Sequence, residues 1–142
     1  MRITTKGHVA IRAALTLAKL CKKQGLVSIN NICEEENVSP KFLEQIFFSL
    51  KKAGIVRSVR GPKGGFCFTT SPENLTVKEI LLASGEELSA GNCEKHTGSC
   101  VREEFCKSHK IWVNLDEMVN NYLQGITLAS LLKENPSNPK KE

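Results

Sequence analysis

The 142-residue sequence predicts a mainly α-helical fold with a small β-hairpin wing: a winged helix-turn-helix followed by a long C-terminal dimerisation helix. Three observations lead there. Apolar residues recur at spacings of three and four through most of the chain. Two short helical segments separated by a tight break lie between residues 28 and 54. Directly after them, IVRSVRGPKGGFCFTT sets two β-prone runs on either side of a glycine- and proline-rich tip.

In chain order, Val9, Ala10, Ala13, Ala14, Leu17, Ala18 and Cys21 form one apolar stripe, predicting a helix from about residue 8 that ends near Gly25. Ser28 caps a short helix, SINNICEEEN, that buries Ile29, Ile32 and Cys33, and Asn37 with Val38 breaks it. The next segment, SPKFLEQIFFSLKKAG, carries a complete start signal. Ser39 is the N-cap, and Pro40 occupies the first helical position, where its missing N–H costs nothing. Leu43, Ile46, Phe47 and Leu50 form the buried face, leaving Lys41, Phe42, Glu44 and Gln45 outward near the N-terminus. Two helices so joined describe a helix-turn-helix.

The hairpin that follows has Arg60 and Lys63 at its tip, shaped by Gly61, Pro62, Gly64 and Gly65, with Arg57 on the first strand. A basic hairpin in this place is a wing. In that arrangement the second helix enters the major groove of DNA, and wing arginines reach the adjacent minor groove. Gln suits adenine, Lys suits guanine, and Phe42 suits a thymine methyl. Charge agrees with this placement: residues 1–70 carry net +8 and residues 71–142 net −3, within a total of +5. A basic half on an otherwise acidic chain is the footprint of a polyanion binder.

Further on, LTVKEILLAS holds a capping box, Thr76 with Glu79, introducing a short helix that buries Ile80 and Leu81. After a loop, a long helix is expected from about Glu103, where Ile111, Trp112, Leu115, Met118, Val119, Tyr122 and Leu123 make a broad apolar stripe. Such a face needs a partner. A second copy of the helix in a homodimer fits the two half-sites of helix-turn-helix operators; folding back on its own winged domain is the alternative. ITLASLLK closes with a short helix capped by Thr127, and ENPSNPKKE reads as a disordered tail. The expected division is residues 1–72 for the winged domain, 73–132 for the loop and dimerisation helix, and 133–142 for the tail.

No apolar run approaches the roughly 20 residues needed to cross a bilayer, and MRITTKGH lacks a signal-peptide core. A cytoplasmic location without a membrane partner is expected. Thiols are kept reduced there, so six cysteines suggest metal ligation, reactivity or packing rather than disulfides. Cys21 and Cys33 fall on apolar stripes and read as core. Cys93, Cys100 and Cys106, with His109, do not. Cys3His suits zinc or an iron-sulfur cluster, and gaps of six and five residues lack the short CxxC pairs of structural zinc sites. A cluster, a zinc ion and unligated thiols all remain open on these grounds.

MRITTKGHVAIRAALTLA, the SPKFLEQIFFSLKKAGIVRSVRGPKGGF block, the cysteine trio and ITLASLL together resemble the IscR/NsrR group of bacterial winged-helix regulators, often called the Rrf family. The resemblance implies a homodimeric transcription regulator on double-stranded promoter DNA that senses iron-sulfur, redox, iron or nitric oxide status, with no enzymatic activity and no small-molecule substrate. It implies an iron-sulfur cluster, 2Fe-2S before 4Fe-4S, held by Cys93, Cys100, Cys106 and His109. Gln45 and Arg60 match DNA-contacting positions, and Glu44 matches an acidic residue that discriminates between site classes. Two departures stand out: one extra residue between the first two cysteines, and Lys41 and Phe42 where Ser and Tyr are expected. His8 matches a place where relatives carry a ligating carboxylate, so it competes as fourth ligand; His96 is a further candidate. The rivals are a DNA-binding regulator with structural zinc or a cluster-free thiol redox switch and, from another class, an iron-sulfur enzyme or electron carrier. The last lacks support from any nucleotide loop or base-nucleophile pair.

Overall fold

The computed structural model describes residues 1–91, 93 and 100–134. The expected tail beyond Glu134 and the candidate ligand His96 lie outside the described residues. Among the described residues, six α-helices and one hairpin follow in order: α1 Thr5–Gln24, α2 Ile29–Glu36, α3 Pro40–Lys52, β1 Val56–Val59, β2 Gly65–Phe68, α4 Val77–Ala83, α5 His109–Gln124 and α6 Leu128–Lys133, with a 3-10 turn at Glu103–Phe105. This is the winged helix-turn-helix expected.

The caps explain the boundaries. Side chains of Thr4, Ser28, Ser39, Thr76 and Thr127 accept from the first-turn amides of their helices. The predicted capping box at Thr76 is present, with Glu79 bonded to the Thr76 amide at 2.8 Å. Asn37 takes the left-handed conformation (φ 52°) that ends α2, so α3 can leave at a sharp angle. Helix α1 begins three residues earlier than the apolar stripe suggests, because Thr4 rather than a later residue supplies the cap.

One core joins these elements. Ala10, Ala13, Ala14 and Leu17 of α1 meet Ile32 of α2, and Leu43, Ile46, Phe47 and Leu50 of α3. Arg12 fastens α1 to α2 through Glu36 (2.8 Å), whose other oxygen accepts from Thr16 at 2.6 Å. The wing is held at its base by Val27, which exchanges backbone hydrogen bonds with Phe66, and by Phe66 packed edge-on against Phe47. Two wing glycines are required sterically. A Cβ on Gly64 would lie 2.0 Å from the Val59 carbonyl oxygen, and one on Gly65 would meet the Val27 backbone.

The C-terminal segment returns to this body. Thr76 and Thr127 form a β-bridge, and Leu128, fully buried, packs in the same core as α1–α3. A second cluster of Val77, Leu81 and Leu88, with Ile3, Leu123 and Ile126 against it, seats α4 beneath α5.

Candidate nucleic-acid interface and metal-ligand segment

Ser39, Lys41, Glu44 and Gln45 are exposed, as are Arg57, Arg60, Gly61, Pro62 and Lys63. Lys51 Nζ lies 2.6 Å from Ser58 Oγ and ties the end of α3 to β1, fixing the wing relative to the helix. Phe42 departs from its expected place. Its ring is half-buried and packs against the core. Phe48 was not singled out by pattern, yet it is 69% exposed beside Lys41, Glu44 and Gln45. The available signal was a second phenylalanine directly after Phe47, off the row of Leu43, Ile46, Phe47 and Leu50 that α3 buries.

The metal-ligand candidates occupy the other end of the chain. All six cysteines are free of disulfides among the described residues; Cys93 and Cys106 are half-buried and Cys100 is exposed. The long helix starts at His109, not Glu103. Residues 103–105 close a 3-10 turn, Cys106 is extended (ψ 107°), and α5 begins after Ser108. Cys106 thus lies outside the helix that carries His109. Ser108 makes no side-chain cap; its hydroxyl lies 3.2 Å from Cys106 Sγ. Hydrogen bonds from the Ser108 hydroxyl and from the Ser108 and His109 amides hold the Cys106 thiol below its usual value. The core cysteines behave oppositely: burial pushes the Cys21 and Cys33 thiols up. His109 Nε2 faces Glu103 Oε1 at 3.7 Å, within ion-pair distance but beyond a hydrogen bond. His8 is exposed on the first turn of α1. Among the described residues, no three of His, Cys, Asp and Glu converge on a common point.

Helix α5 is turned differently from its hydrophobic pattern. Its inward row is His109, Val113, Asp116, Asn120 and Leu123, with Asp116 its one buried residue. The apolar stripe is divided: Ile111 is 59% exposed and Met118 and Tyr122 are each 69%, while Val119 and Leu123 are half-buried, Leu123 against α4.

A sequence profile described as "Rrf2: Iron-dependent Transcriptional regulator" matches residues 3–134. The chain belongs to the Rrf2 family. Among curated relatives, the HTH-type transcriptional regulator IscR of Aliivibrio salmonicida is 36% identical over 135 residues, covering 95% of this chain and 79% of the relative. IscR of Erwinia tasmaniensis is 37% identical over 132 residues, covering 93% and 79%. Among solved structures, T. potens IscR superposes with TM-score 0.73 at 29% identity, covering 94% of this chain and 87% of that one. CymR, titled the global cysteine regulator of B. subtilis, gives TM-score 0.77 at 25% identity, covering 96% and 99%. This Rrf2-family chain is thus a transcriptional regulator with DNA as its partner, not an enzyme. No helix among its described residues is long and apolar enough to cross a membrane.

Proposed function

We propose that this Rrf2-family regulator works in the cytoplasm as a homodimer, reading promoter DNA with α3 and the wing while an iron-sulfur cluster sets its affinity. The ligands would be Cys93, Cys100, Cys106 and His109, and the resemblance to the IscR group favours 2Fe-2S over 4Fe-4S. The observation that carries this reading is the start of α5. There a thiol held below its usual pKa and an imidazole near a carboxylate sit three residues apart, in a chain about 36% identical to IscR proteins. The donor set suits such a group: free thiols of soft sulfur, plus a neutral nitrogen donor.

When bound, the cluster supplies a centre that can change oxidation state or be lost. The protein's own part is to hold charge and position. Amides of Ser108 and His109 stabilise sulfur charge at Cys106, Glu103 stands within ion-pair distance of His109, and the adjoining α5 presents the exposed part of its apolar stripe to a second copy. On DNA, Arg57, Arg60 and Lys63 neutralise phosphate or enter the minor groove, with Gly61 and Pro62 shaping the tip. Ser39 places the amide-rich N-terminus of α3 near the backbone, while Lys41, Glu44 and Gln45 meet base edges and the exposed part of Phe42 adds apolar contact.

Oxygen-free purification followed by iron, sulfide and Mössbauer measurements tests the reading. Stoichiometric iron and sulfide, with signals altered by His109→Ala and not by His8→Ala, support it. Zinc in place of iron identifies a structural metal site; a colourless, metal-free chain whose DNA binding responds to thiol oxidation identifies the cluster-free switch.

A further inference from the structure

Two buried carboxylates outside the candidate ligand set anchor the two ends of one short segment, one from within it and one from α5. Residues 85–91 connect α4 to the cysteine loop. At one end, Glu86 accepts from the Thr4 amide (3.0 Å) and the Thr4 hydroxyl at the first turn of α1. At the other, Asp116 of α5, 1% exposed, accepts from the Ala90 amide and from the Ser89 hydroxyl at 3.2 Å. Leu88, between them, is buried beneath α5 with Val77 and Leu81. Asn120 Nδ2 in turn donates to the Asp116 carbonyl at 2.7 Å, on the inward row that also carries His109.

We propose that Glu86 and Asp116 are positioning residues: together they clamp segment 85–91 between the winged body and α5, and so transmit the state of the cysteine loop to α1. This rests on the cluster reading above for the identity of the signal, but not for the clamp itself. The segment ends two residues before Cys93, so a change in the loop that pulls on Ala90 acts on a strap with few ways to yield. Its far end sits on the N-terminus of α1, whose Ala13, Ala14 and Leu17 pack against α2 and α3. A buried carboxylate bonded to backbone amides is a fixed point rather than a sliding contact, since leaving it exposes unmet hydrogen-bonding groups on both sides.

Gly7 supplies an independent handle. A Cβ there would lie 2.8 Å from Cγ, Cδ and Oε1 of Glu86, so Gly7→Ala pushes that carboxylate off its partners without touching Asp116. The test uses the full chain, purified without oxygen and compared in iron-loaded and iron-stripped forms, as wild type, Asp116→Ala, Asp116→Asn and Gly7→Ala. In the stripped form, Asp116→Ala speeds hydrogen exchange not only at residues 89–91 but also at Thr4 to His8, by on the order of tenfold, while α3 exchanges as in wild type. Coupling is reciprocal, so Gly7→Ala speeds exchange at residues 89–91. Asp116→Asn restores wild-type behaviour, because its carbonyl oxygen still accepts from Ala90. In the loaded form, Asp116→Ala and Gly7→Ala retain iron, but the ratio of loaded to stripped promoter affinity falls toward one. Exchange that rises only beside each substitution, with the affinity ratio intact, overturns the clamp; should Asp116→Ala not fold, Gly7→Ala alone decides. A wild-type chain without iron or sulfide defeats the cluster reading instead, and the exchange measurements, which need no metal, still decide the clamp.

Discussion

Glu86 is nearly excluded from solvent yet stays ionised more readily than an ordinary carboxyl. Burial by itself pushes it up, but hydrogen bonds from the Thr4 hydroxyl and the Thr4 and Gly7 amides, with the charge of His8 adding, bring it net below the usual value. A group with a depressed folded pKa stabilises the fold above its unfolded pKa, about 4.3 for Glu, and that contribution is lost as pH falls through the folded value. Glu86→Gln is therefore expected to lower unfolding free energy by about 1–3 kcal/mol near neutral pH. In urea titrations the gap between variant and wild type narrows once the pH drops below the ordinary Glu range; a gap that widens there contradicts the assignment. Neither Glu86 nor Asp116 was legible in the sequence. Acidic residues in polar stretches look like solvated surface, and their burial depends on amides brought to them by distant elements. The cysteine trio was legible as a group because thiols are rare and its spacing is unusual. Its local geometry was not, since Ser108 turns to Cys106 instead of capping α5.

At the scale of elements, caps and apolar stripes made α1, α2, α3, the wing and α4 readable. Helix α5 was harder. The most exposed residues of its apolar pattern mark the outward side, and its inward row mixes Val113 and Leu123 with the polar His109, Asp116 and Asn120. Periodicity says which residues share a face, not which face meets the same chain. For the reading elements, Gln45→Ala is expected to cost about 1–3 kcal/mol at one base pair and relax specificity there, measured by binding to single-base operator variants. Lys63→Ala weakens all sequences alike and reduces the slope of log affinity against log salt by about 1. A Lys63 variant that changes sequence preference but not salt dependence assigns it to base contact. Gly64→Ala forces its Cβ against the Val59 carbonyl, so the hairpin must open. DNA affinity should fall while the melting of the helical body changes little.

For the whole molecule, the outward stripe of α5 and the basic wing describe two surfaces that one protomer leaves uncovered. In the proposed homodimer, pairing the stripes of two copies would bury the first and set the spacing of two α3 helices for the second. Met118→Glu with Tyr122→Glu is expected to shift the chain to monomer in sedimentation experiments and to weaken binding to two-half-site operators far more than to a single half-site. A variant that stays dimeric places the interface elsewhere.

The most direct measurement is a promoter-affinity titration of oxygen-free protein before and after iron removal, with iron and sulfide assayed in the same samples. The account predicts iron and sulfide bound in proportion to protein, lost together in a Cys93, Cys100 and Cys106 triple alanine variant, and a change in affinity of about fivefold or more when they are removed. Protein that never carries labile sulfide, or that binds each promoter equally well in both forms, contradicts it.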